Sequence, residues 1–248
     1  MVRRDEIVTF INKYLNSETI KDSSQNGLQV EGADEVKKIV FGVSANMEFF
    51  KRAVVAGADM AVVHHGILWS DSPRITGVFR RRIDFLLKNE LNLCAWHLPL
   101  DMHAEVGNNA QIAKKLELKN LEIFGDYHGV KIGFCGGLKT PATLKEIENK
   151  TGFEANVIFN SGPRKIKKIA VVSGGGQNIF RQAADCGADL FITGSAEEFV
   201  QEYARESGVN FMAIGHYNSE TFGVKALMEV VRKKFKASVE FIDIENKL

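Results

Sequence analysis

The chain has 248 residues, 45% of them hydrophobic and 25% charged, the composition of a globular protein long enough for one large or two small cores. A formal net charge of +1 speaks against a strongly basic nucleic-acid protein, and no run approaches the ~18 uninterrupted apolar residues of a membrane span. The amino-terminal Met-Val-Arg-Arg-Asp-Glu lacks a signal-peptide core, and Cys94, Cys135 and Cys186 form no Cys-x-x-Cys pair, so the expected setting is cytoplasmic and the cysteines read as small buried apolar residues.

Ile7, Val8, Phe10, Ile11 and Tyr14 recur at helical spacing and predict an amphipathic helix over 4–15. A polar loop over 21–25 leads to a turn and a short strand or edge segment over 26–32. From Lys37 the pattern becomes regular, with a strand over 39–43, a helix over 47–56 closed by Gly57, and a strand over 60–63, together a β-α-β unit. Further on, 83–88 and 109–116 read as helices and 93–96 as a strand. Between the halves lie a strand over 130–134, a helix over 143–150 with Thr143 and Glu146 at capping-box spacing, and a strand over 155–159. The chain closes with a helix over 222–235 and an alternating strand over 239–244.

The second half repeats the first at an offset of 130 residues. Lys37-Lys38-Ile39 falls on Lys167-Lys168-Ile169, Phe50 on Phe180, Ala53 on Ala183, and Gly57-Ala58-Asp59 on Gly187-Ala188-Asp189, without a gap. With one inserted residue, the segment ending in His97 matches that ending in His216, so both halves carry His-x-x-x-carboxylate after an apolar strand: His97 with Asp101, and His216 with Glu220. The expected fold is α/β, with two pseudo-repeated α/β lobes over 1–125 and 126–248 packed as one compact unit.

The apolar run 60–63 ends in His64 and His65, at the carboxyl end of a strand, where open α/β sheets place ligands. Successive strand residues face opposite ways, so both imidazoles serve one centre only if the pleat ends there, and Gly66 permits the turn. Residues at strand ends then comprise His64, His65, His97, Asp101, His216 and Glu220, imidazoles and carboxylates without thiolates, suited to divalent Zn, Mn, Fe, Co or Ni. This inventory exceeds what one catalytic zinc takes from protein, and two ions are the simpler account, with Glu220 suited to bridge them and with water activated for attack on an electrophile. His97 and His216 are equivalent in the repeat without having to do equivalent work: one can ligate while the other supports it or moves protons. His103 and His128 read as surface residues in polar loops.

Asn26-Gly27-Leu28-Gln29-Val30, Val63-His64-His65-Gly66 with Trp69, His97-Leu98-Pro99-Leu100-Asp101, Gly107-Asn108-Asn109-Ala110-Gln111, and Gly215-His216 followed by Glu220 stand in one order along the chain. In these motifs the chain resembles the NIF-three-like family, whose members are often labelled GTP cyclohydrolase I type 2 homologues, in its compact bacterial and archaeal branch. The resemblance covers nearly the whole chain. It implies a dinuclear metal site between the lobes with His64, His65, Asp101, His216 and Glu220 as ligands and His97 nearby, and a homohexameric ring. Other branches read His-His-Pro in place of His-His-Gly, and some carry a large central insertion absent here; neither difference removes a ligand.

Gly174, Gly175 and Gly176 follow a strand and precede a helix, where backbone N–H groups can receive phosphate, although the Gly-Lys-Ser/Thr ending of a P-loop is missing. The expected function is therefore a metal-dependent hydrolase acting on a nucleotide-like substrate. The alternative is a ring-forming, metal-containing binding protein whose basic clusters, Arg80-Arg81-Arg82, 164–168 and 232–236, contact DNA or partner proteins without catalysis.

Overall fold

A computed structural model describes residues 1–71 and 73–247. Two compact units emerge, one formed by Met1–Leu100 with Val224–Glu245 and the other by Asp101–Gly223 with Asn246–Leu248. Residues 101–125, counted with the first lobe on sequence, thus belong to the second unit, and 224–245 belong to the first.

In the first unit, β1 (Val2–Arg3) leads into α1 (Arg4–Leu15), which buries Ile7, Ile11 and Leu15 along one face as their spacing requires. Then come β2 (Gly27–Val30), β3 (Glu35–Val36, antiparallel to β1), β4 (Lys38–Ser44), α2 (Met47–Val55), β5 (Met60–His65), α3 (Gly77–Lys88), β6 (Asn92–Ala95) and the single turn α4 (Leu98–Asp101), whose last residue is the first of the second unit. Asn46 caps α2 by accepting from Phe49 N at 2.9 Å. Strands β4, β5 and β6 run parallel and β2 closes one edge antiparallel to β6. Their near-continuous burial explains why β5 and β6 read as unbroken apolar runs rather than alternating ones.

The second unit contains α5 (Asn108–Lys115), β7 (Lys119–Tyr127), β8 (Val130–Ala142), α6 (Leu144–Thr151), β9 (Val157–Phe159), β10 (Ile166–Val171), α7 (Phe180–Asp185), β11 (Leu190–Thr193), α8 (Phe199–Ser207) and β12 (Asn210–Ala213). It also holds the start of α9 (His216–Phe235), a helix that carries the chain back to the first unit, where β13 (Ser238–Phe241) joins β4 in parallel. The sheet order is β7-β8-β10-β11-β12-β9, parallel across β10 to β12 and antiparallel elsewhere. Thr143 and Glu146 form the expected capping box at the start of α6.

The repeat is visible in the backbone bonds. Asp59 Oδ2 accepts from Lys37 N at 2.7 Å and Lys38 N at 3.0 Å, and Asp189 Oδ2 accepts from Lys167 N and Lys168 N at the same distances. Asn92 accepts from Gly32 N and donates to Ala33 O and Asp59 O; Asn210 accepts from Gly162 N and donates to Pro163 O and Asp189 O. Each Asn is fully buried and fastens an incoming loop to the foot of the central strand. The strand orders β4-β5-β6-β2 and β10-β11-β12-β9 are equivalent.

The structure departs from the sequence reading in particular places. Where sequence predicts only a short strand over 130–134, the chain forms the β7–β8 hairpin. Its turn, His128-Gly129, has φ of 52° and 86°, the mirror-image turn that suits hairpin twist. Strand β7 is hidden from sequence because it leaves Leu121, Ile123 and Tyr127 exposed, so its apolar residues do not mark a buried face. Helix α9 begins at His216 rather than 222, because its first turns are polar yet buried: Ser219 is 0% and Glu220 3% exposed. Strand β5 continues through both histidines, so the pleat does not end before them. Gly66 has no positive φ; it is glycine because a Cβ would sit 2.2 Å from Gln29 Oε1, which accepts from Ile67 N and Leu68 N and brackets the loop.

If Asn92 and Asn210 do the same work, Asn92→Ala and Asn210→Ala each lose stability on the order of 2–3 kcal/mol, since each leaves buried backbone groups without partners. Urea unfolding of the two variants checks this; a loss at one position alone would break the equivalence.

Candidate metal centre

In the first unit, β5 carries His64 and His65 to its carboxyl end, and His97 follows β6, the neighbouring strand. The ring centroids lie 4.6 Å apart for His64 and His65, 5.1 Å for His64 and His97, and 5.6 Å for His65 and His97. One nitrogen from each lies within 4.8 Å of the others, close enough for the three to share an ion.

Hydrogen bonds set the tautomers. His64 Nδ1 lies 3.0 Å from the carbonyl of Trp96, which can only accept, so Nδ1 carries the proton and Nε2 keeps its lone pair. His97 Nδ1 lies 3.0 Å from Asp22 Oδ1, a carboxylate oxygen that accepts, so Nδ1 carries a proton there too. His65 Nδ1 meets Ser44 Oγ at 3.3 Å. Trp69 lies edge-on to His97 at 5.1 Å and 6.2 Å from His65, an apolar wall beside the imidazoles.

Asp22 lies in the 21–25 segment that sequence presents as a plain connection. Its side chain is 1% exposed, and its second oxygen accepts from Leu98 N at 2.9 Å and Asn26 Nδ2 at 3.0 Å. Asn26 in turn accepts from His97 N at 2.8 Å. Burial pushes the Asp22 carboxyl up, but the hydrogen bond and charge of His97, with Asn26 and Ser24 N, outweigh it and hold the group at about 2. The only nearby signal in the sequence is the Asn-Gly-Leu-Gln-Val motif that begins at Asn26.

In the second unit, α9 places His216 and Glu220 one turn apart, with Nε2 and Oε1 3.2 Å from each other. Ser195 Oγ meets His216 Nδ1 at 3.2 Å, as Ser44 meets His65. A carboxylate oxygen of Asp101 lies within 4.8 Å of one of Glu220. Asp101 is oriented by Asn108 Nδ2 at 2.9 Å and Ser173 Oγ at 3.1 Å, both donating to Oδ1. Asn109 donates to the Asp101 carbonyl and accepts from Ser173 N, tying the start of this unit to the end of β10.

Gly174 has φ +62°, and a Cβ there would lie 2.3 Å from Glu220 Oε1, so this glycine gives the carboxylate room. Gly174 N donates to Ser219 Oγ at 2.8 Å and Gly176 N to Thr193 Oγ1 at 3.1 Å, so these two donors are engaged within the chain. A 3-10 turn rather than an α-helix follows them. His103 Nδ1 accepts from Glu105 N and Val106 N in its loop, and His128 lies in the hairpin turn against Tyr127.

The donor set suits a divalent ion of the borderline or hard kind: imidazole nitrogens with oriented lone pairs and buried carboxylates, without thiolate. His64 is fully buried, Glu220 3% and Asp101 7% exposed, and ionisable groups so placed are held by partners or by metal.

Asp22 has a consequence for acid stability. Its folded pKa lies below its ordinary value of 3.8, so its contribution is complete above that value and is lost as pH falls toward about 2. Between pH 4 and pH 2 the wild type loses about 2 kcal/mol more than Asp22→Asn, as urea unfolding at the two pH values reads directly. Equal losses would mean that Asp22 titrates normally.

The model of the family described as Duf34/NIF3 (NGG1p interacting factor 3) matches residues 2–247. The GTP cyclohydrolase 1 type 2 homolog of Archaeoglobus fulgidus is 46% identical over 243 residues, covering 98% of each chain. The solved structure of protein ybgI is 39% identical with a TM-score of 0.93, covering 100% of both chains, and that of TTHA1606 from Thermus thermophilus is 34% identical with a TM-score of 0.89, again over 100% of both. With a family model matched along almost its entire length and relatives this similar, the chain belongs to the NIF3 family.

Proposed function

We propose that this protein is a metal-dependent hydrolase of a nucleotide-like substrate that works with divalent ions held by its buried imidazoles and carboxylates. The observation that carries the reading is the burial of ionisable donors at strand ends and at the head of α9, where apolar residues would be far easier to accommodate. His64, His65, Asp101, His216 and Glu220 would hold the ions. Bound there, such ions supply Lewis acidity and acidify water toward neutrality.

The remaining chemistry belongs to the chain. With Nδ1 committed to Asp22, His97 turns Nε2 outward as the ring atom at which it would hold or pass a proton. Trp69 excludes water from one side of His97 and His65. Asn108 and Ser173 keep Asp101 from turning. The name borne by the curated relatives points to a purine nucleotide, so guanosine nucleotides head the candidate substrates, followed by phosphoesters and cyclic amidines.

Elemental analysis of protein purified without chelator or nickel resin should find about two ions per chain. Glu220→Ala should lose both and His103→Ala neither. A wild type that stays empty after incubation with Zn, Mn and Fe overturns the reading; full metal in Glu220→Ala removes the bridging role alone. Metal-loaded protein that turns over none of these substrates sinks the hydrolase assignment while leaving the metal centre standing.

A further inference from the structure

Cys135 and Cys186 stand 51 residues apart and read on sequence as inert, yet the fold brings their sulfurs to 3.0 Å. Cys135 is buried in β8, where it pairs with Ala170 of β10 and Glu122 of β7. Cys186 follows α7 and is partly exposed. Both lie in the second unit, and neither is near the donors described above in sequence.

We propose that Cys135 and Cys186 form a reversible oxidation site, in which hydrogen peroxide oxidises the accessible Cys186 and Cys135 resolves the product into an intramolecular disulfide. In the first step the Cys186 thiolate attacks one peroxide oxygen; the S–O bond forms, the O–O bond breaks, and hydroxide leaves and takes up a proton. The sulfur is oxidised by two electrons and the peroxide reduced by two. In the second step Cys135 sulfur attacks Cys186 sulfur, the S–S bond forms, the S–O bond breaks, and water leaves with the proton from Cys135. A thiol reductant returns both sulfurs to the starting state.

The surroundings divide the two roles. Cys135 hydrogen-bonds the Cys186 sulfur and lowers its pKa; burial opposes this, while the Lys168 ammonium and the Ala188 N–H assist, leaving Cys186 at about 7. Lys168 Nζ donates to Cys186 O at 2.7 Å, and Glu122, 3.7 Å from that ammonium, is the acidic group on the same side. Cys135 is pushed up by Cys186 and by burial, so it stays a protonated donor until Cys186 is oxidised. Cys94 provides an internal contrast: fully buried, it is pushed up to about 12. Closing the sulfurs to the length of a disulfide needs a movement of only about 1 Å.

Hydrogen peroxide added to the full-length protein tests this directly. The expected result is loss of two hydrogens from the intact mass, a crosslink between the tryptic peptides containing Cys135 and Cys186, an unmodified Cys94, and full reversal by dithiothreitol. Iodoacetamide at pH 7 should label Cys186 at least roughly tenfold faster than Cys94. Cys135→Ser should halt at a sulfenic acid on Cys186 that dimedone captures, and Cys186→Ser should form no crosslink. Recovery of both thiols in alkylatable form after peroxide, or over-oxidation of Cys186 in wild type without a crosslink, overturns the proposal, and neither result depends on a variant folding.

Discussion

Removing ionisable groups from water costs several kcal/mol unless partners replace the lost hydration, and the local structure around the donors answers that constraint. His64 is fully buried at the end of its strand, so its ring nitrogen is given the carbonyl of Trp96, the residue that follows the adjacent strand. Asp101 receives an amide and a hydroxyl, and Asn109 fastens its backbone to Ile132 O and Ser173 N. Such bonds also remove rotational freedom. A side chain so held keeps its lone pairs in fixed directions.

The repeat provides two similar frames and furnishes them differently. In each, an aspartate draws two consecutive N–H groups onto one oxygen and an asparagine ties an incoming loop to the sheet, so the central strands and their flanking edge strand fall into the same order. Just past Val63 and Thr193, at the ends of the central strands, the two frames differ. Where the first frame has His64 and His65, the same offset gives Gly194 and Ser195. Gly194 admits no Cβ, which would lie 2.7 Å from His216 Cα, and Ser195 turns its hydroxyl to His216. In the first frame the donors come from a strand, in the second from the head of a helix.

Glycine has steric work beside the donors. Gly66 makes room for the Gln29 amide that brackets the loop after the histidines, and Gly174 makes room for the Glu220 carboxylate. A Gly-rich loop between strand and helix reads on sequence as a phosphate cradle. Here two of its N–H groups are bound by Ser219 and Thr193, and its lack of side chains serves the carboxylate.

Much of this was open to sequence reasoning, because period and spacing are local properties. The α1 stripe, the β-α-β units, the capping box at Thr143 and the repeat all follow from residues a few positions apart or from one constant offset. The histidines and carboxylates at strand ends were also visible, since only their chemistry and position after apolar runs were needed. What tertiary structure decided were relations between distant residues. Asp22 becomes the partner of His97 across 75 positions, Cys135 meets Cys186 across 51, and Asn108 reaches Gly223 N across 115. The polar first turns of α9 were unreadable for the same reason: Ser219 and Glu220 are buried against residues far off in sequence, Ser219 accepting from Gly174 N across 45 positions, while hydrophobic periodicity registers only the burial that water itself drives.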